Sequence, residues 1–261
     1  MPFWHLEFIR IYFLEISVWS VFVSLAFALA AFWVFRRMTR KKFIKNELNF
    51  LLLVLGLFAT IFLGARSLNW LESGWALDYF WNFKIGGFSF FGGLLFALGY
   101  AWFVSLYLKK RGGNFLALLN LVAAPTALAL AIGRLGCLLA NDHPGALTNL
   151  PWGIPWPNGE IRHPVALYLI LSNLLLFLLL LIFERRKILT EKLGIIFLAW
   201  IGLSRFLLDF TRLRSAVFGD EVFFGLSLSQ WIGLAIFALA FFSFCVVKTR
   251  PLQVIHKKKP A

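Results

Sequence analysis

Seven apolar runs dominate the chain, at roughly 17–35, 48–68, 86–108, 115–139, 164–183, 193–210 and 226–247. About 20 consecutive apolar residues are needed to cross the hydrocarbon core as a helix. The predicted fold is therefore all-α: a polytopic integral membrane protein with seven transmembrane helices. Polar residues punctuate the runs, and there is no internal repeat, low-complexity segment or soluble second domain. Residues 1–261 form one transmembrane domain, with a short segment at 1–15 and a basic tail at 248–261. The segment before the first run, "FWHLEFIRIYFL", is short and amphipathic and fits the membrane interface.

Charge gives the orientation. The chain is 61% hydrophobic and only 15% charged, yet its net charge is +14. In a soluble protein that balance would point to nucleic acid. Here the apolar content overrides it, and no nucleic-acid partner is expected. The loops after spans one, three, five and seven hold 18 of the 26 Lys and Arg residues. The positive-inside bias places those loops in the cytoplasm. The N-terminus is then outside and the C-terminus in the cytoplasm. The loops around 69–85, 140–163 and 211–225 lie outside, rich in Trp, Asp, Asn, Pro and Gly.

The first run is read as a retained helix. Ala28-Leu29-Ala30 matches a cleavage site, but the apolar run continues past it to "RRMTRKK", and only Arg10 precedes it. Two cysteines, Cys137 and Cys245, form neither a disulfide framework nor a metal-ligand pattern, and are either paired or free.

Three arginines fall inside the spans: Arg66, Arg134 and Arg205. An arginine at a helix centre costs roughly 2.5–3.5 kcal/mol on insertion scales. Arg134, in "ALAIGRLGCLLAND", lies about five residues, or roughly 8 Å, from the outer end of its span. Arg66 lies near the outer end of span two, and Arg205 in the outer half of span six. They are either separate snorkelling side chains or a shared site for an anion, which guanidinium grips in bidentate geometry. The anion at that depth is a phospholipid head group. In "SRFLLDFTR", spacings of four and three put Arg205, Asp209 and Arg212 on one helix face, an acid between two bases. "GGFSFFGG" sets Gly86, Gly87, Gly92 and Gly93 at the start of span three, where glycines allow close approach of a helix or a ligand. Pro125 in span four is expected to kink that helix and free backbone groups.

These segments, in order, resemble the prolipoprotein diacylglyceryl transferase family. The resemblance is carried by "GAR" at 64–66, "GGFSFFGGLL" at 86–95, "NLVAAPTALALAIGRLGCLLAND" at 120–142, "LPWGI" at 150–154, "RHPVALY" at 162–168, "SRFLLDFTR", and "GLSLSQW" ending at Trp231. It implies a multi-pass enzyme of the bacterial inner membrane that moves diacylglyceryl from phosphatidylglycerol to the lipobox cysteine thiol of a prolipoprotein. The implied partners are phosphatidylglycerol, prolipoprotein signal peptides and membrane lipids, with no metal or organic cofactor. The resemblance also implies that Arg134 binds phosphatidylglycerol, that Arg205 is a second essential arginine, and that Asp209 belongs with them as a catalytic acid. Around the substrate it sets Arg66, Ser89, Asn141, Asp142, His163 and Arg212.

The chain departs from the family pattern at several positions. Phe91 stands where a histidine is expected, Trp19 and Ile201 where tyrosines are, and Leu169 where an acid is. An asparagine often follows Arg134 by three residues; here it is Cys137. Loss of the histidine removes a favoured candidate for the base that deprotonates the thiol. His143 and His163 remain as candidates on side-chain chemistry alone. Two other readings follow: a lipid-binding pseudoenzyme of the same fold, or an anion or lipid transporter. A transporter needs polar residues in the inner half of the bundle and often inverted repeats, and the sequence offers few of the first and none of the second.

Overall fold

The computed structural model describes residues 6, 8–11, 14–44, 46–72, 80–81, 87–141, 144–156, 158–213 and 222–247. Seven long helices run through it: α1 (Val18–Arg40), α2 (Glu47–Glu72), α3 (Phe90–Leu108), α4 (Phe115–Ala140), α5 (Val165–Arg185), α6 (Leu193–Leu208) and α7 (Leu228–Val246). All seven segments are long and apolar enough to cross a membrane. Each falls on one of the apolar runs, with ends differing by a few residues. Span three begins at Phe90 rather than 86, because Ser89 is extended and precedes the first helical turn. The basic tail from 248 onward, Gly86, Asp142 and His143 lie outside the described residues.

Before α1 the chain forms a hairpin of β1 (Phe8–Ile11) and β2 (Leu14–Ser17). The exposed Arg10–Glu15 ion pair spans it at 2.9 Å. Leu6 N–H donates to the Leu139 carbonyl at 3.0 Å, so this segment docks at the C-terminal end of α4.

Helix α4 is the hub, with α1, α5 and α6 packed along it, while α2 pairs with α3 and α6 with α7. Lipid is as apolar as leucine, so helices in a bilayer associate through close packing rather than hydrophobic burial. On α4 the residues at the contacts are accordingly small. Ala123, Ala124 and Ala127 of α4 meet Leu176 and Leu180 of α5 and Leu193, Phe197 and Ile201 of α6. Large side chains such as Leu52, Phe58, Phe103, Leu171 and Phe242 point outward, as a lipid-facing surface requires.

The α2–α3 crossing is the tightest. A Cβ on Gly92 would lie 2.2 Å from the Gly64 carbonyl oxygen, and one on Gly64 would lie 2.5 Å from the Gly92 carbonyl oxygen. No side chain fits at either position, so the "GAR" and "FFGG" motifs lock two helices together.

Polar groups inside the bundle satisfy helix backbone. Asn120 of α4 accepts the Gly194 N–H at 2.7 Å, capping the start of α6 from a neighbouring helix. Lys192 donates to the Phe244 carbonyl at 2.7 Å, near the end of α7. Pro125 has no N–H, so the Leu121 carbonyl four residues earlier has no helical donor. Arg37 of α1 supplies one at 2.9 Å and pairs with Glu184 of α5 at 2.6 Å. The backbone group that Pro125 frees is thus taken up by a helix–helix clamp.

Candidate functional site

The site is assembled where the C-terminal halves of α4 and α6 meet the N-terminal ends of α3 and α7. Arg205 is its centre. Its guanidinium carbon lies 4.3 Å from the centroid of the Phe90 ring, a cation–π contact that fastens α6 to the first turn of α3. Arg134, Arg212, Asp209 and Cys137 are all within electrostatic range of Arg205. The structure therefore brings Arg134, Arg205, Asp209 and Arg212 together. Arg134 Nη1 also points at Cys137 Sγ, 3.7 Å away.

Asp209 is buried at 6% exposure. Its Oδ1 accepts from Arg212 Nη1 at 3.2 Å, and its Oδ2 accepts from Ser227 Oγ at 2.9 Å. Ser227 is the N-cap of α7: its Oγ accepts the Gln230 N–H at 3.1 Å, while Gln230 Oε1 accepts the Ser227 N–H at 3.0 Å. This reciprocal box leaves Gln230 fully buried, with Nε2 donating to the Phe206 carbonyl at 3.2 Å. The Asp209 carboxylate thus sits at the N-terminal end of α7.

The continuous helical face predicted for Arg205, Asp209 and Arg212 is not what forms. Helix α6 stops at Leu208, Asp209–Thr211 make one 3-10 turn, and Arg212 is extended. The tighter turn lets the Asp209 side chain reach both Arg212 and Ser227. Among the described residues, Arg134 and Arg212 add positive charge around Arg205 and Asp209 is the one carboxylate beside them, an excess of positive charge suited to an anion.

Arg212 also belongs to a small roof of backbone pairing. The segment Pro144–Leu147 runs between Thr211–Leu213 on one side and Ile161–His163 on the other. Its bonds include Ala146 N–H to the Thr211 carbonyl at 2.8 Å and His163 N–H to the Ala146 carbonyl at 3.0 Å. Gly145 is in the middle, where a Cβ would come 2.1 Å from the His163 carbonyl oxygen. Arg162 donates to the Gly145 carbonyl at 2.9 Å and pairs with Glu160. The side-chain amide of Asn158, and then Arg162, hold the Glu160 carboxyl below its usual range.

His163 is engaged within this roof. Tyr168 Oη lies 3.1 Å from His163 Nδ1 and accepts from Trp152 Nε1 at 2.8 Å. The tyrosine hydroxyl thus links the Trp152 indole to one ring nitrogen of His163, leaving Nε2 as its other polar atom.

The other expected residues divide. Ser89 caps the start of α3, its N–H bonded to the Ala65 carbonyl at 3.0 Å. Asn141 ends α4 in a left-handed conformation, with φ 50°. Arg66 is 2% exposed, and donates to the carbonyls of Phe80 at 3.0 Å and Gly87 at 3.2 Å. It ties the segment between α2 and α3 to the bundle and is not among the charges around Arg205. Phe91 is also 2% exposed, its ring edge 3.5 Å from where a Cβ on Gly233 of α7 would stand. It fills a packing position between α3 and α7.

Ser227, Gln230, Tyr168 and Trp152 were not singled out from sequence. The first two carry a readable signal: Ser-x-x-Gln before an apolar run is a capping-box pattern. Trp152 and Tyr168 fall within "LPWGI" and "RHPVALY", but nothing in those motifs shows that the two side chains, 16 positions apart, meet.

A helical bundle of seven segments long and apolar enough to cross a membrane, with an arginine cluster at one end, defines a multi-pass membrane protein. The family model for prolipoprotein diacylglyceryl transferase matches residues 7–246, and the chain belongs to that family. It is similar to the phosphatidylglycerol–prolipoprotein diacylglyceryl transferase of Idiomarina loihiensis, 31% identical over 241 residues, covering 87% of this chain and 86% of that protein. It is 35% identical to the enzyme of that name from Vibrio vulnificus over 175 residues, covering 63% and 64%. It is 33% identical to the one from Methylobacillus flagellatus over 152 residues, 57% of each.

Proposed function

We propose that this protein is a phosphatidylglycerol–prolipoprotein diacylglyceryl transferase of the bacterial inner membrane, with the arginine end of the bundle facing outward. The observation that carries this reading is the grouping of Arg134, Arg212 and Asp209 around Arg205, in a chain of this family. The lipid phosphodiester is an anion at membrane depth, and a guanidinium cluster complements it.

In the reaction, the cysteine sulfur attacks the glyceryl carbon that bears the phosphate. A C–S bond forms, the C–O bond breaks, and glycerol phosphate leaves with the electron pair. The thiol proton passes to solvent or to the departing phosphate. Negative charge grows on the phosphate oxygens as the bond breaks. Arg134 and Arg205, fixed by their helices in a site of low dielectric, stabilise that charge without reorganising. The same positive field lowers the pKa of a thiol brought beside it. This route needs no imidazole at position 91, and His163, held at Nδ1 by Tyr168, is left to orient substrate. Asp209 holds Arg212 and keeps the cluster from repelling itself apart. Arg66 anchors the α2–α3 segment and leaves the head group to the other arginines. Asp142, Asn141 and Ser89 are assigned to the rim of the site by the family resemblance.

The test is mass spectrometry of a lipobox peptide after incubation with purified protein and phosphatidylglycerol. Wild type should add one diacylglyceryl group in thioether linkage. Arg134→Lys keeps the charge but loses the fork, and should reduce kcat/KM about 10- to 100-fold, the equivalent of one or two charge-assisted hydrogen bonds. Phosphatidylglycerol binding without any thioether product, across several peptides and pH values, would overturn the assignment.

A further inference from the structure

A groove between α1 and α4 opens toward the end of the bundle opposite the arginine cluster. It has a volume of about 280 Å³ and is lined among others by Ala26, Ala30, Trp33, Arg36, Pro125 and Ala129. Its shape follows from how these helices meet. Toward the arginine cluster they touch closely, where a Cβ on Gly136 would lie 3.0 Å from the Trp19 Cα. Toward the basic loops the Arg37 clamp holds them, reaching the Leu121 carbonyl and Glu184. Between these two points small side chains and Pro125 leave space.

The length of the groove matches one leaflet. Along α1 its lining runs from Ala26 to Arg36, ten residues of helix, or about 15 Å. That is half of a hydrocarbon core of about 30 Å. An acyl chain lying in it would reach from the interface to the bilayer midplane.

The two adjacent arginines at its mouth differ in kind. Arg37 is neutralised by Glu184 and a backbone carbonyl. Arg36 is exposed, its guanidinium 5.8 Å from the Phe32 ring centroid, and no carboxylate among the described residues pairs with it. Arg40, Lys41 and Lys42 continue the positive charge just beyond. A cation at the interfacial end of an apolar groove complements a phosphate head group with its chain attached.

We propose that the α1–α4 groove binds one anionic phospholipid from the leaflet at the basic-loop end, with an acyl chain against Ala30 and Ala129 and its phosphate on Arg36. This lipid is not a substrate. It fills the space between the Gly136–Trp19 contact and the Arg37 clamp, and it is distinct from the lipid proposed at Arg134 and Arg205.

Native mass spectrometry of the full chain in detergent tests this, with phosphatidic acid as the probe and phosphatidylcholine as the neutral control. Arg36→Gln should raise the apparent Kd of one phosphatidic acid adduct about fivefold, the value of one interfacial cation. Ala30→Phe, or Ala129→Leu should the first fail to fold, should remove the same adduct by filling the groove. Arg134→Lys should leave that adduct in place, which separates this site from the one at the other end. Unfolding midpoints without lipid should match wild type. Equal adduct occupancy in wild type, Arg36→Gln and the groove-filling variant would overturn the proposal. So would phosphatidylcholine binding as tightly as phosphatidic acid. A dimer that Ala30→Phe converts to monomer would show that a second copy occupies the groove, and would overturn it as well.

Discussion

Replacing Ser227 by alanine removes two bonds at once. Its Oγ accepts the Gln230 N–H at 3.1 Å and donates to Asp209 Oδ2 at 2.9 Å. Loss of an N-cap costs about 1 kcal/mol. Loss of a hydrogen bond to a buried charged group costs about 1.5–3 kcal/mol. Ser227→Ala should therefore lower stability by about 2.5–4 kcal/mol in all. The second part also falls on function, because Asp209 is then held on the Arg212 side alone and drifts with it. If all of the charged bond were felt in the transition state, kcat/KM would fall about 10- to 150-fold. Ser227→Thr keeps the hydroxyl and should recover most of both. The assay is thioether formation on a lipobox peptide, run for Ser227→Ala, Asp209→Asn and the double variant, with unfolding midpoints measured in the same detergent. Because both changes act through one bond, the double variant should be scarcely worse than the worse single. Additive losses would show that Ser227 acts only as a cap, and that the path from α7 through Asp209 to the arginines does not exist.

Gly92→Ala should strongly destabilise the chain or prevent its accumulation, since the new Cβ would stand 2.2 Å from the Gly64 carbonyl oxygen; wild-type yield and unfolding midpoint would refute the tight α2–α3 crossing. Phe91→His puts a polar ring into a packed apolar position at a cost of about 1–3 kcal/mol, so the maximum rate should not rise; a more than tenfold gain would show that position 91 lines the reaction site. A reporter fused after Lys259 should read cytoplasmic and one inserted near Asn149 extracytoplasmic, following the basic loops; both on one side would refute the orientation.

The spans were legible because lipid imposes a length and a polarity that few other constraints can mimic. The arginine cluster was legible for the same reason: Arg134 and Arg205 are costly where they stand, so their presence asks for a partner. Finer features were not. Nothing in "FLLDFTR" marks the end of α6, since no glycine or proline follows Leu208, and the change to a 3-10 turn depends on Ser227 arriving from another helix. Arg66 looked like its two counterparts because sequence cannot show that the carbonyls of Phe80 and Gly87 fold back onto it. The hairpin at 8–17 was read only as an amphipathic segment, and its pairing depends on docking to the end of α4. Phe91 was expected to face the site; its burial against α7 depends on Gly233, 142 positions away in the chain, and pattern alone does not join them.

The roof over the arginines is held by main-chain bonds, from Thr211 to Ala146 and from Ala146 to His163. Main-chain bonds do not depend on which side chains the strands carry. Apart from Gly145 and Gly153, where a Cβ cannot fit, the strands of the roof can exchange residues over generations and keep the same pairing. Helices α4 and α6 have no such latitude, because their charges must meet at fixed places. Substitution should therefore run faster through 146–149, where Leu147 is exposed, than around Arg134 and Arg205.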